Sequence, residues 1–222
     1  MTTPVPPLEV VAARLAEVRR RIERAGGDPA ALEVVAVTKT FPPAAVEAAL
    51  ALGLRRVGEN YPAELVAKAA AFAPGTGPQW QFLGAIQRRR VARLAPVVSC
   101  WQTVSRLAEG ETLARHAPGA TVLVEVETTG LPGRNGAVPA AVPALVAGLR
   151  ALGLDVAGLM TVAPPGGPEA ARPAFATTAR LGAELGLGEL SMGISDDLEA
   201  AVSEGSTMVR VGRALFGARS EP

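Results

Sequence analysis

Lysine is scarce in this chain. Of its 22 basic residues only Lys39 and Lys68 are lysines, and the other twenty are arginines. Arginine stays protonated and cannot replace lysine as an amine nucleophile. Amine chemistry therefore has two possible addresses. Lys39 closes the apolar run Val34-Val35-Ala36-Val37-Thr38. Partial desolvation at such a strand end disfavours the ammonium and favours a neutral amine able to attack an aldehyde. The alternative is a side chain that lays its stem along the strand end and keeps its charge in water. Lys68 sits mid-helix among alanines and is expected to be a solvated surface residue.

Two further stretches near the chain's end could hold an anion. Ser191-Met192-Gly193-Ile194-Ser195-Asp196-Asp197-Leu198-Glu199 reads as strand, glycine turn and helix start. Ser195 is a natural N-cap, and free amides, a positive dipole end and a hydroxyl together bind phosphate. The alternative is a capped helix and nothing more. Val209-Arg210-Val211-Gly212-Arg213 follows. Arg210 lies in an otherwise apolar strand and needs an acceptor or an anion; an internal glutamate such as Glu59, Glu125 or Glu127 would also satisfy it. Gly212 lets backbone approach a ligand closely. An amine, an anion cradle and a cation between them suit pyridoxal 5′-phosphate, which carries an aldehyde, a phosphate and a pyridine nitrogen. With arginine opposite the ring nitrogen, the ring stays unprotonated and is a weaker electron sink.

These residues need a frame that brings them together. Leu8, Val11, Leu15, Val18 and Ile22 recur at helical spacing, and Gly26-Gly27 ends that helix. After it, short β-branched runs alternate with Ala/Leu-rich helical stretches. Strands are expected at 34–38, 55–59, 79–84, 97–102, 121–127, 154–160, 189–192 and 208–211, the last followed by a short tail. Eight strand–helix units allow a closed barrel or an open doubly wound sheet. The count and near-regular spacing favour the barrel, and no G-x-G-x-x-G fingerprint follows the first strand. The expected fold is α/β: a single (β/α)8 TIM barrel with an extra N-terminal helix, one domain over residues 1–222. In such a barrel function gathers at the strand ends, where Lys39, Glu59-Asn60-Tyr61, Gly84, Gln102, Glu127, Met160-Thr161, Ser191 to Ser195 and Arg210 to Arg213 stand.

Composition removes other classes. Twenty-two basic against 21 acidic residues leave a net charge of +1, so no overall field favours nucleic acid or an acidic membrane. One cysteine, Cys100, excludes an internal disulfide and a cysteine zinc cluster, and one histidine, His116, excludes a multi-histidine metal site. MTTPVPP shows no signal-peptide pattern, and no 18-residue apolar run exists. A cytoplasmic protein is expected. Cys100, Trp80 and Trp101 are expected in the core, His116 at a helix end, and Arg88-Arg89-Arg90 on a solvated helix start.

The sequence resembles the pyridoxal phosphate homeostasis protein family over about residues 32–219. Its motifs stand here as Ala36-Val37-Thr38-Lys39, Gly58-Glu59-Asn60-Tyr61, Trp80 to Gln87, Leu190 to Asp197 and Gly205 to Gly217. The resemblance implies a (β/α)8 barrel of the alanine racemase N-terminal type. It implies that Lys39 is the Schiff-base lysine, and that Ser195 with the amides of Gly212 and Arg213 holds the phosphate, with Ser191 nearby. It also implies that Arg210 faces the pyridine nitrogen and that Asn60 and Met192 line the ring. The implied role is binding and buffering of pyridoxal phosphate in vitamin B6 homeostasis. Departures from the family pattern are Gln81 and Gln102 where histidine is frequent, Arg89-Arg90 where Asn-Lys is usual, and Glu125 and Glu127 where amides are common.

Three functions follow for testing. The first is a non-catalytic carrier that hands the cofactor to pyridoxal-phosphate-dependent apo-enzymes, expected to be a monomer. The second is an amino-acid racemase-like enzyme, which needs acid/base groups on both faces of the substrate adduct; the only tyrosine is Tyr61, and the chain has no room for a further β domain. The third is a sugar-phosphate barrel enzyme without a cofactor. The carrier is the favoured reading.

Overall fold

The computed structural model describes residues 3–73 and 75–218. Spacings of three and four place Val11, Leu15, Val18 and Ile22 on one face of α1 (Leu8–Arg24), and all four are buried. Burial of such side chains contributes roughly 2 kcal/mol each, an upper bound because the unfolded chain is itself partly collapsed. The chain then enters a regular alternation: β1 (Glu33–Val37), α2 (Pro43–Ala51), β2 (Arg56–Glu59), α3 (Pro62–Ala69), β3 (Gln79–Phe82), α4 (Arg88–Leu94), β4 (Val98–Val104), α5 (Leu107–His116) and β5 (Thr121–Val126). It continues with α6 (Val142–Ala151), β6 (Asp155–Thr161), α7 (Pro168–Glu184), β7 (Glu189–Ser191), α8 (Leu198–Ser203), β8 (Met208–Val211) and α9 (Arg213–Phe216). Helices α2, α3, α6 and α7 carry proline in their first turn, where the missing N–H would have had no helical acceptor.

All eight strands are parallel, and β8 pairs back onto β1 to close the barrel. The expected (β/α)8 fold is the observed one. Side chains alternate between two environments, as strand geometry demands. Val34, Ala36, Val57, Trp80, Trp101, Val122, Leu159, Leu190 and Val209 point outward and form the main core with the helices. Cys100, Leu123 and Met160 form a separate small cluster on the inner face. Gln81, Gln102, Ser191 and Arg210 share that inner face and are all buried. His116 is exposed at the end of α5, and Arg88 to Arg90 are exposed at the start of α4.

Most strand ends fall within one residue of expectation; β3 stops at Phe82 rather than Gly84, and two further differences are larger in consequence. Strand β4 runs on to Val104 rather than stopping at Gln102, because Thr103 is held by its hydroxyl bond to the Gly84 carbonyl at 2.6 Å. The short tail after β8 contains a further element: Arg213–Phe216 forms the one-turn helix α9, with Leu215 and Phe216 buried. Helix α1 packs on α8 and α9. Arg14 Nη1 donates to the Leu215 carbonyl at 3.2 Å, and Arg21 reaches Glu199 of α8. The extra N-terminal helix thus braces the last two loops of the barrel.

Candidate functional site

Strand β1 ends at Val37, and the last ladder bond runs from the Thr38 amide to the Gly58 carbonyl at 3.1 Å. Lys39 follows, half-buried. A cavity of about 560 Å³ opens over the strand ends, and Lys39, Asn60, Ser195, Arg210, Gly212 and Arg213 all line it with Val37, Met160 and Ile194. Six of the eight residues singled out in the sequence therefore meet in one space. The remaining two do not line it. Ser191 lies beneath, holding Arg210. Met192 is fully buried in the outer core, because alternation along β7 turns Ser191 inward and its neighbours outward. Met160 supplies the apolar wall in its place.

Arg210 is 4 % exposed. Its Nη1 donates to the Ser191 carbonyl at 2.6 Å and to the Ser191 hydroxyl at 2.7 Å, and its Nη2 donates to the Thr161 carbonyl at 2.7 Å. None of the expected glutamates pairs with it. Glu59 binds Lys68, Glu125 accepts from Asn135, and Glu127 caps its own turn through the amides of Thr129 and Gly130. Burial pushes the guanidinium down to about 10, with Asp197 and Glu125 opposing the shift; it stays charged at neutral pH. Behind it runs a buried polar chain that sequence reading did not anticipate. Ser191 Oγ donates to Gln102 Oε1 at 2.8 Å, and Gln102 Nε2 donates to Gln81 Oε1 at 2.8 Å. Gln81 and Gln102 thus hold each other, and Ser191, in place under the cavity.

Ser195 is not the N-cap of α8. That helix starts at Leu198, and Asp197 occupies the cap position, its Oδ1 accepting the Ile194 amide at 2.6 Å. Gly193 makes the turn possible: its φ is 89°, and a Cβ there would lie 2.6 Å from the Ala201 Cβ. Freed from capping, the Ser195 hydroxyl faces the β8 loop and accepts the Ala214 amide at 3.3 Å, while its carbonyl accepts Arg21 Nη2 at 2.9 Å. The hydroxyl, the start of α9 and Gly212 form one polar corner of the cavity. Arg213 is exposed and ion-paired with Asp196.

A smaller space of about 250 Å³ adjoins the first and shares Asn60, Leu83 and Val162 with it. Glu125 and Asn135 line it. Burial raises the Glu125 carboxyl above the usual range, with Asn135 and Arg210 working the other way. The expectation for Lys68 is overturned. Its side chain is 5 % exposed, with Nζ 2.6 Å from Glu59 Oε1 and 3.4 Å from Glu64 Oε2. Its helical spacing was the readable signal: Lys68 lies three residues after the fully buried Leu65, on the same face of α3.

A closed parallel barrel with a lysine at the end of its first strand and a polar corner after its last two belongs to the class of alanine racemase N-terminal barrels; the profile of that family, "Alanine racemase, N-terminal domain", matches residues 8–220. Within that class the chain belongs to the pyridoxal phosphate homeostasis protein family. It is 39% identical over 219 residues to the pyridoxal phosphate homeostasis protein of Pseudomonas aeruginosa, covering 95% of each chain. It is 34% identical to the protein of that name from Escherichia coli K12, covering 94% of this chain and 97% of the other. The solved structure of PipY, the COG0325 family member of Synechococcus elongatus, superimposes with a TM-score of 0.84 without PLP and 0.80 with PLP bound. At 32% identity the match covers 93% of this chain and 100% of that one.

Proposed function

We propose that this protein binds pyridoxal 5′-phosphate at Lys39 and serves vitamin B6 homeostasis as a carrier, without catalytic turnover. One observation carries the reading: an amine, a buried cation and a hydroxyl-lined corner beside a helix start converge on a single cavity. The donor set fits the group, and the PLP-bound PipY structure and the names of the relatives support it. Bound, the aldehyde would supply a reversible covalent link to a primary amine. Lys39 would provide that amine. Ser195, with the amides of Gly212 and Arg213, would hold the phosphate, and Arg210 would stand as a cation toward the ring nitrogen. Asn60 and Met160 would flank the ring.

What favours a carrier over an enzyme is the set of titratable groups in the cavity. Among the described lining residues they are Lys39, Arg210 and Arg213. Guanidinium groups are poor proton acceptors, so acid/base work would fall on one lysine alone. Tyr61 is half exposed and outside the lining. The reading includes a cytoplasmic monomer that gives up its cofactor to apo-enzymes; among the described residues no helix is long and apolar enough to cross a membrane. A racemase-like enzyme is the second reading, and one observation favours it: the buried Glu125 carboxyl in the adjoining space.

Borohydride reduction after loading with pyridoxal phosphate, followed by peptide mass spectrometry, tests the assignment. Lys39 is expected to carry the label. Lys39→Ala is expected to carry none, because Lys68, the other lysine, is buried against its own acceptors. A label elsewhere, or none in the wild type, refutes the reading. Exchange of the α-proton of amino acids at ordinary enzymatic rates would replace the carrier with the enzyme.

A further inference from the structure

Lys39 lies beyond the last ladder bond of β1, so the sheet does not determine where its side chain points. Its two flanking peptide groups are nevertheless both held, and from outside the barrel. Lys68 Nζ donates to the Thr38 carbonyl at 2.7 Å, which fixes the peptide entering Lys39. The same ammonium meets Glu59 Oε1 at 2.6 Å and Glu64 Oε2 at 3.4 Å. Glu64 Oε2 in turn accepts the Thr40 amide at 2.8 Å, which fixes the peptide leaving Lys39. Glu59 Oε1 also accepts the Thr38 hydroxyl at 2.6 Å. The two peptide planes around a Cα define its φ and ψ, and these set the direction of the Cα–Cβ bond.

This arrangement is costly for stability alone. Thr40 is the one described non-glycine residue with positive φ, at 68°, a conformation β-branched residues rarely adopt. Glu59 is fully buried, and its Oε2 has no partner. A buried ion pair seldom outdoes an apolar pair of the same volume. Its return is geometric.

We propose that Lys68, Glu59 and Glu64 form a positioning clamp for Lys39, holding the backbone on both sides of it so that its amine enters the cavity in one direction. The proposal rests on Lys39 being the aldehyde-binding amine, and the test separates the two. Glu64 is part-exposed, with 33 % of its side chain accessible, so Glu64→Ala and Glu64→Gln should fold. In the cofactor-free protein, hydrogen exchange at the Thr40 amide is expected to be about tenfold faster in Glu64→Ala, the equivalent of one hydrogen bond to a charged group. Glu64→Gln keeps an acceptor and should restore most of the protection.

On loading with pyridoxal phosphate, Glu64→Ala and Lys68→Met are expected to bind about tenfold more weakly, with altered circular dichroism of the bound chromophore. The melting temperature of Glu64→Ala should stay within about 5 °C of wild type. Lys39 of the wild type labelled by borohydride, with exchange, affinity and dichroism unchanged in these variants, would overturn the clamp and leave the binding reading standing. An unlabelled wild-type Lys39 would overturn both.

Discussion

The Arg21 arm of the brace from α1 to the anion corner can be cut with one substitution. Arg21 Nε and Nη2 lie 2.6 and 2.7 Å from the two Glu199 carboxylate oxygens, and Nη2 lies 2.9 Å from the Ser195 carbonyl. Arg21→Met keeps the stem that packs on α8 and removes only the fork. The pair is partly solvated, 20% and 41% exposed, so screening limits it to about 0.5–1 kcal/mol. The bond to the carbonyl adds about 1 kcal/mol. Together these correspond to a fall in melting temperature of roughly 3–8 °C for a chain of this length. Only the carbonyl bond bears on the cavity, so affinity for pyridoxal phosphate should fall by no more than about fivefold.

The loss should depend on pH in a stated direction. The Arg21 fork holds the Glu199 carboxyl below its usual range. A depressed carboxyl stabilises fully above its unfolded value, and that contribution is lost as pH falls through its folded value. The gap in melting temperature between wild type and Arg21→Met should therefore narrow below about pH 4. Calorimetry across pH, with fluorescence titration of the cofactor, measures both quantities. A full melting loss with unchanged affinity would show that the Ser195 loop holds its shape without the Arg21 bond. A gap that widens in acid would refute the electrostatic account.

Two other substitutions follow from the site. Arg210→Gln removes the buried cation but leaves the Ser191 and Thr161 carbonyls that it satisfied; cofactor affinity should drop about tenfold or more and the absorption spectrum should shift, by titration and visible spectroscopy. Unchanged affinity and spectrum would contradict its role. Glu125→Gln replaces a carboxyl that burial holds above its ordinary range. Such a group costs stability as pH rises through its folded value, so the variant should match wild type near pH 4 and melt higher near pH 8. A lower melting temperature at both would show that the Asn135 bond needs the charge.

The wall chemistry of the cavity was readable because it used rare or misplaced residue types. A lysine at the end of an apolar strand and an arginine inside one each broke a local rule, and the serine–glycine turn matched the pattern of an anion-binding helix start. Local rules also placed the helices and strands to within a few residues, since burial on one face imposes periods of 3.6 and 2. Ser195 shows where such reading stops. A serine before a helix is ordinarily its cap, yet here Asp197 takes that place and the hydroxyl turns to α9.

Taken alone, the order of residues determined the alternation of eight strands with helices, the apolar faces, and the candidates at the strand ends. Those depend on side-chain type and spacing within one element. Only the closed barrel decided which candidates share a space, that Met160 and not Met192 faces it, and that Lys68 is buried beside Glu59. It also decided that Arg210 rests on carbonyl oxygens and not on a glutamate. The reason is physical: partners 9 to 49 positions apart, such as Glu59 with Lys68 and Thr161 with Arg210, meet only when separate elements pack together, and no local period encodes which of several buried acceptors a buried cation will reach.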